Sequence, residues 1–161
     1  QLQIIFLRLQ DKFPHIRESL DNPFRMTDWT FEVENLSPVE LKQIELICQS
    51  QGYGFTYSTI QCHIKPIYQD KAYGLNKIIS QHFSYLKPSE IVTIGDSPND
   101  ESMFNQVEFP LSVGVANVVK YCDRLKYLPA YVTSKSEGEG FCELAALTLV
   151  CPEEYVDNPR V

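Results

Sequence analysis

Cysteine pairs, clustered histidines, basic stretches and long apolar runs are all missing from this sequence, and each absence removes a class of protein. The five cysteines, Cys48, Cys62, Cys122, Cys142 and Cys151, form no C-x-x-C pair, and their odd number leaves at least one unpaired in any intramolecular scheme. That usage favours a reducing, cytoplasmic setting over an oxidising one. His15, His63 and His82 stand at no ligand spacing from one another or from a cysteine pair, which argues against structural zinc. No apolar run approaches the ~18 residues of a membrane span. The longest candidates, Leu2 to Leu9 and Ala145 to Val150, are far too short. The opening has no signal-peptide layout of basic residues, apolar stretch and small-residue cleavage site. It starts at Gln1 and not at an initiator methionine, so an upstream segment is expected.

Positive charge is scarce as well. Fourteen basic residues against 21 acidic ones give a net charge of −7, and nowhere do Lys or Arg gather with aromatics along one face. Nucleic acid or an anionic membrane would meet mostly repulsion, so neither is expected as a partner. What remains is a soluble globular chain of 161 residues, 43% hydrophobic, large enough to bury one core or two small ones without staples.

Hydrophobic spacing divides the chain into helices and strands. Leu2, Ile5, Phe6 and Leu9 predict an amphipathic helix from Gln1 to about Phe13, stopped by Pro14. The aromatic-rich alternation Phe24, Met26, Trp29, Phe31, Val33 reads as a strand. Ser37-Pro38-Val39-Glu40 is a helix start with a capping box, and Leu41, Ile44, Ile47 and Cys48 carry that helix to Gly52. Residues Tyr53 to Ile67 alternate as a long strand or hairpin, with Phe55, Tyr57, Thr59 and Ile64 as the inward set. A helix over Lys71 to Phe83 follows, with Leu75, Ile78, Ile79 and His82 on one face. Strands at Ile91 to Ile94, Leu111 to Val115 and Tyr131 to Thr133 alternate with short helices near Glu101 to Asn105 and from about Gly140 to Leu149. That alternation predicts an α/β architecture with a mainly parallel sheet covered on both faces. A change of character near Ile67 to Asp70 marks a domain boundary, and the tail after Cys151 reads as loosely ordered.

The chemistry concentrates in Ile91-Val92-Thr93-Ile94-Gly95-Asp96-Ser97-Pro98-Asn99-Asp100. An apolar strand ending in glycine and aspartate places a carboxylate at the carboxyl end of a parallel sheet, where open α/β folds build their sites. Asp100 follows four residues later at the start of the next helix. Two hard carboxylates with room for water suit Mg²⁺; the plain alternative is a polar turn whose aspartates cap the helix. Asp70-Lys71 opens the preceding helix and could bring a positive charge to a bound phosphate, or be an ordinary surface lysine. Ser112-Val113-Gly114-Val115-Ala116-Asn117 is a strand and turn whose small residues permit close approach of a ligand; the alternative is a tight turn with Asn117 as a cap.

Together, Asp70-Lys71, Gly95-Asp96-Ser97-Pro98-Asn99-Asp100 and Gly114-Val115-Ala116-Asn117 resemble the last motifs of haloacid dehalogenase-type phosphatases. They are most similar to the Cof-type, sucrose-phosphate and mannosyl-phosphoglycerate phosphatases, which carry an α/β cap between core motifs. The resemblance implies a partial Rossmann-like core with a parallel sheet, plus an α/β cap. Residues 1–66 would form the cap, with 1–23 a helical lead-in; residues 67–151 would form the later part of the core, and 152–161 a tail. It implies that Lys71 is catalytic and contacts the phosphate, that Asp96 binds Mg²⁺, and that Asp100 supports the metal shell or the lysine. Asn99 and Asn117 would line the phosphate pocket, and the substrate would be a small phosphorylated metabolite such as a sugar phosphate.

Two features depart from that pattern. The family's chemistry begins with an Asp-x-Asp pair whose first member is the nucleophile and second the acid and base. No such pair occurs in these 161 residues, so it is expected upstream of Gln1, and the chain alone is expected to be inactive. The intact protein is then expected to hydrolyse phosphate monoesters through an aspartyl-phosphate. The stretch Cys62-His63-Ile64-Lys65-Pro66 also lacks the acidic residue typical of sugar-phosphate phosphatases, while Arg25, Thr27 and His63 are candidates to line a cap pocket. A phospho-ligand-binding protein without turnover, and a phosphotransferase or mutase, are the competing readings.

Overall fold

The structure is a computed structural model and describes residues 1–149. The described residues form two compact units, Gln1–Leu86 together with Ser97–Ser102, and Lys87–Asp96 together with residues 103–149.

In the first unit, α1 (Leu2–Lys12) buries Ile5, Phe6 and Leu9, one face of the predicted helix. After a short 3-10 turn at Asn22–Phe24 the chain enters β1 (Trp29–Glu32). Helix α2 (Pro38–Ser50) begins with the expected capping box: Glu40 N donates to Ser37 Oγ at 3.3 Å and Ser37 N donates to Glu40 Oε2 at 2.9 Å. Gly52, at φ +82°, takes the left-handed conformation that turns the chain out of α2. Strands β2 (Tyr53–Tyr57) and β3 (Gln61–Pro66) form a hairpin, and α3 (Lys71–His82) follows.

The three strands lie in the order β1-β3-β2, antiparallel throughout. In register, Phe31 faces Cys62 and Phe55 faces Ile64, while Thr30 and Thr56 both face His63. The period of two therefore sorts the sheet into an apolar face and a polar one. The apolar face packs under α1 and α2, with Phe6, Leu9, Phe31, Ile44, Cys48, Cys62 and Ile64 inside. Phe6 and Phe31 lie 5.7 Å apart, centroid to centroid. Cys48 and Cys62 are unpaired core residues whose burial pushes both thiols up, Cys48 to about 12.

In the second unit β4 (Val92–Gly95), β5 (Leu111–Gly114) and β6 (Tyr131–Val132) form a parallel sheet in the order β4-β5-β6. Helix α4 (Glu137–Leu149) closes the described chain. A Cβ at Gly114 would sit 2.6 Å from Val118 Cγ1 and 2.8 Å from Pro129 Cγ, so packing between β5 and its neighbours requires glycine there. No helix among the described residues is long and apolar enough to cross a membrane.

Several expectations are corrected. The strand predicted from Phe24 begins only at Trp29, because Pro23 sits in the 3-10 turn and Phe24 and Met26 are 87% and 96% exposed. What fixes the start of β1 is Asn22: its Oδ1 accepts from Thr30 N and its Nδ2 donates to Thr30 O, both at 2.8 Å, as a neighbouring strand would. Thr59 is not inward but lies exposed in the turn between β2 and β3. The α/β architecture itself is as expected: the parallel sheet is present over residues 92–132, and of the two readings left open for Tyr53 to Ile67 the hairpin is the one found. Of the apolar face expected on α3, Ile78 and His82 are exposed, and Ala72 is the helix's buried residue. The helix expected near Glu101 to Asn105 is a 3-10 stretch, Pro98–Phe104, and α4 starts at Glu137, three residues early. The tail after Cys151 lies outside the described residues.

Candidate functional site

Asp70 caps α3, accepting from Tyr73 N at 2.7 Å, and this fixes Lys71 as the first helical residue. Lys71 Nζ donates to Asp100 Oδ1 at 2.5 Å, a charge-assisted bond between a half-exposed lysine and a carboxylate that is 5% exposed. The loop Ser97–Ser102 shapes this pair. Ser97 N donates to Asp100 Oδ2 at 3.3 Å and Asp100 N donates back to Ser97 O at 2.9 Å. Ser97 Oγ donates to Asn99 Oδ1 at 2.8 Å, and Ala72 N donates to Ser102 Oγ at 3.1 Å, tying the first turn of α3 to the loop. Lys71, Asn99 and Asp100 are thus brought together by two segments far apart in sequence.

In the second unit Asp96 stands directly after β4. Asn117 Nδ2 donates to Asp96 Oδ2 at 3.1 Å, and Asn117 Oδ1 accepts from Glu137 N at 3.0 Å. Asn117 is 6% exposed, so its amide joins Asp96 to the start of α4, where Glu137 adopts φ +52°.

The donor chemistry fits a hard divalent cation. Among the described residues no three His, Cys, Asp or Glu side chains gather into a chelating cluster. Mg²⁺ asks for less than that: one or two carboxylates, with waters and substrate phosphate completing its sphere. Asp96 supplies a carboxylate at the carboxyl end of a parallel strand. Asp100 has both oxygens bonded to protein donors, one to Lys71 and one to the Ser97 amide.

Beside Lys71 opens a cavity of about 250 Å³. Asp28, Thr56, His63 and Lys65 line it together with Gln69, Asp70, Lys71 and Asn99. Arg25 NH1 donates to Asp28 Oδ2 at 2.8 Å, and His63 Nδ1 lies 2.9 Å from the same oxygen. Arg25 also holds Asp21 at 2.7 Å, which lowers the Asp21 pKa and raises that of Arg25. Of the three cap candidates, His63 reaches the cavity, Arg25 stands behind Asp28, and Thr27 is exposed and outside the lining. Asp28, Thr56 and Lys65 were not singled out from sequence. The available signal was the polar run Gln61, His63, Lys65 alternating with Cys62 and Ile64 along β3.

Residues 11–142 match the family described as haloacid dehalogenase-like hydrolase. Among curated proteins, a phosphoglycolate phosphatase of Thermoplasma acidophilum is 29% identical over 134 residues, covering 83% of this chain and 55% of that protein. A phosphoglycolate phosphatase of Methanosarcina mazei is 35% identical over 126 residues, covering 77% of this chain and 51% of the relative. The chain thus spans about half the length of the curated relatives it matches. Among solved structures, the sucrose-phosphatase of Synechocystis superposes with a TM-score of 0.69 at 16% identity, covering 91% of this chain and 62% of that one, a likeness of fold.

Proposed function

The chain belongs to the haloacid dehalogenase-like hydrolases, and from that premise we propose that the intact protein is a Mg²⁺-dependent phosphomonoester hydrolase acting on a small phosphorylated metabolite. The observation that carries this reading is the Lys71–Asp100 pair at the edge of a small polar cavity. In this proposal Lys71 holds a phosphate oxygen and offsets charge as the ester bond breaks. Asp100 keeps the ammonium in place, because a lysine stem ordered by a buried carboxylate loses less freedom on binding. Asn99, anchored by Ser97 Oγ, orients the phosphate from the same loop. Asp96, aligned by Asn117, is the carboxylate that would hold Mg²⁺, and the cation would supply charge neutralisation at the phosphate when bound.

In the same proposal residues 1–66 act as the substrate-selecting cap and residues 67–151 as the later part of the core. The phosphoryl group passes first to an aspartate of an Asp-x-Asp pair and then to water. The 161-residue sequence has no such pair, so hydrolysis belongs to the intact protein. The names of the curated relatives support phosphomonoester chemistry and point to a short phosphorylated acid as one candidate substrate. A sugar phosphate is the other.

The test is phosphate release from a small aryl phosphate by the full-length protein, with and without Mg²⁺. Asp96→Asn is expected to lower turnover roughly a hundredfold or more. Unchanged turnover in that variant would remove the metal assignment.

A further inference from the structure

We infer that the polar face of the antiparallel sheet carries a second anion subsite, in which Lys65, with Thr56 and His63, binds a carboxylate on the end of the substrate away from the phosphate. The inference rests on the phosphomonoesterase reading and concerns the other end of the same ligand.

The strand register places the three side chains together. His63 and Lys65 are two residues apart on β3, and Thr56 on β2 is the register partner of His63, so all three project from the face opposite the core. All three line the cavity that Lys71 also lines, which makes one ligand able to meet both lysines. At about 250 Å³ the cavity lies below the ~300 Å³ at which drug-sized pockets begin, so it suits a ligand of few carbons and not a disaccharide phosphate.

Charge decides what that ligand carries. Each acidic residue of the lining already has its own donors: Asp28 is held by Arg25 and His63, and Asp70 accepts from the amide of Tyr73. Lys71 is matched to Asp100. Lys65 differs, since among the described residues it makes no ion pair and its ammonium donates only to the Gln69 carbonyl. An ammonium has three donors, so two remain for a ligand. Burial lowers the Lys65 pKa, with Asp70 and Asp28 opposing that shift from a distance. A half-buried cation without a counter-ion is costly, and an incoming carboxylate removes that cost, whereas a neutral sugar hydroxyl supplies no countercharge. Asp28 holds Nδ1 of His63, so Nε2 is the ring nitrogen that His63 can offer the ligand.

The experiment compares 2-phosphoglycolate with ethyl phosphate, which has the same phosphate end and a methyl group in place of the carboxylate. Affinities of the chain for each are measured by calorimetry with Mg²⁺ present. The wild type is expected to prefer 2-phosphoglycolate by on the order of tenfold or more. Lys65→Met is expected to collapse that ratio towards one, Lys65→Arg to keep most of it, and Thr56→Val to reduce it a few-fold. Should Lys65→Met not fold, Thr56→Val decides, and an undiminished ratio there overturns the subsite. Equal wild-type affinities for the two ligands overturn the carboxylate subsite and leave the phosphate reading standing. Absence of binding by either ligand overturns both.

Discussion

Lys71 Nζ and Asp100 Oδ1 lie 2.5 Å apart across 29 positions of sequence, with the carboxylate 5% and the lysine side chain 50% exposed. The asymmetry fits the proposed roles, with the buried partner as the anchor and the exposed one as the group offered to a phosphate. Asp100→Ala would strand the buried amide of Ser97 and release Lys71. It is expected to cost about 1–3 kcal/mol of stability in urea unfolding. Asp100→Asn, which keeps one bonding oxygen, should cost less. Equal stability of the wild type and the alanine variant would mean that the pair anchors nothing.

Asn22 gives the first unit its own test. Its side chain extends the backbone bonds that Arg17 and Ser19 make to β1 on that side, with two bonds of 2.8 Å to the Thr30 backbone. Asn22→Ala leaves the buried amide of Thr30 unpaired and is expected to destabilise the chain by about 1–3 kcal/mol, read from the urea midpoint. Asn22→Asp, which keeps an acceptor for Thr30 N, should recover part of that loss.

Thiol accessibility follows burial in the core of the first unit. Cys48 and Cys62 are buried and Cys142 is exposed. Alkylation at pH 8, mapped by mass spectrometry, should therefore label Cys142 in the native chain and Cys48 and Cys62 only after unfolding. The raised folded pKa of Cys48, about 12 against an ordinary 9, has a definite sign. Its contribution to stability is fully present below pH 9. It is lost as the pH climbs from 9 towards 12, because the unfolded thiol ionises first.

Gly140 tests the packing of α4. A Cβ there would fall on the Lys135 carbonyl oxygen and within 2.7 Å of Thr133 Oγ1. Gly140→Ala is expected to destabilise the chain by about 1–3 kcal/mol, despite alanine's better helix propensity. A stabilised variant in thermal unfolding would contradict that packing.

Much of this was legible in the sequence where one local signal dominated. The capping box at Ser37 and Glu40, the apolar strand running into Gly95-Asp96, and the helix opening at Asp70-Lys71 each depend on residues within a few positions of one another. The family resemblance drawn from those motifs agrees with the match over residues 11–142. The misreadings share a cause. Phe24 and Met26 alternate like a buried strand, yet β1 is placed by Asn22 from outside the run, a tertiary bond that no periodicity reveals. The hairpin at residues 58–60 is one of two readings the alternation of Tyr53 to Ile67 allows, and the pairing of β2 with β3 selects it. His63 and Asp28 are 35 positions apart, and Lys65 stands out only once the charges around it are paired off.

The most direct measurement is a ³¹P NMR titration of the chain with inorganic phosphate in the presence of Mg²⁺, comparing wild type with Lys71→Met. The expected result is saturable binding by the wild type and affinity at least about tenfold weaker in the variant, a loss of some 1.4 kcal/mol. Equal affinity in the two would contradict the assignment of Lys71 as the phosphate-holding residue, and with it the placement of the site beside the Lys71–Asp100 pair.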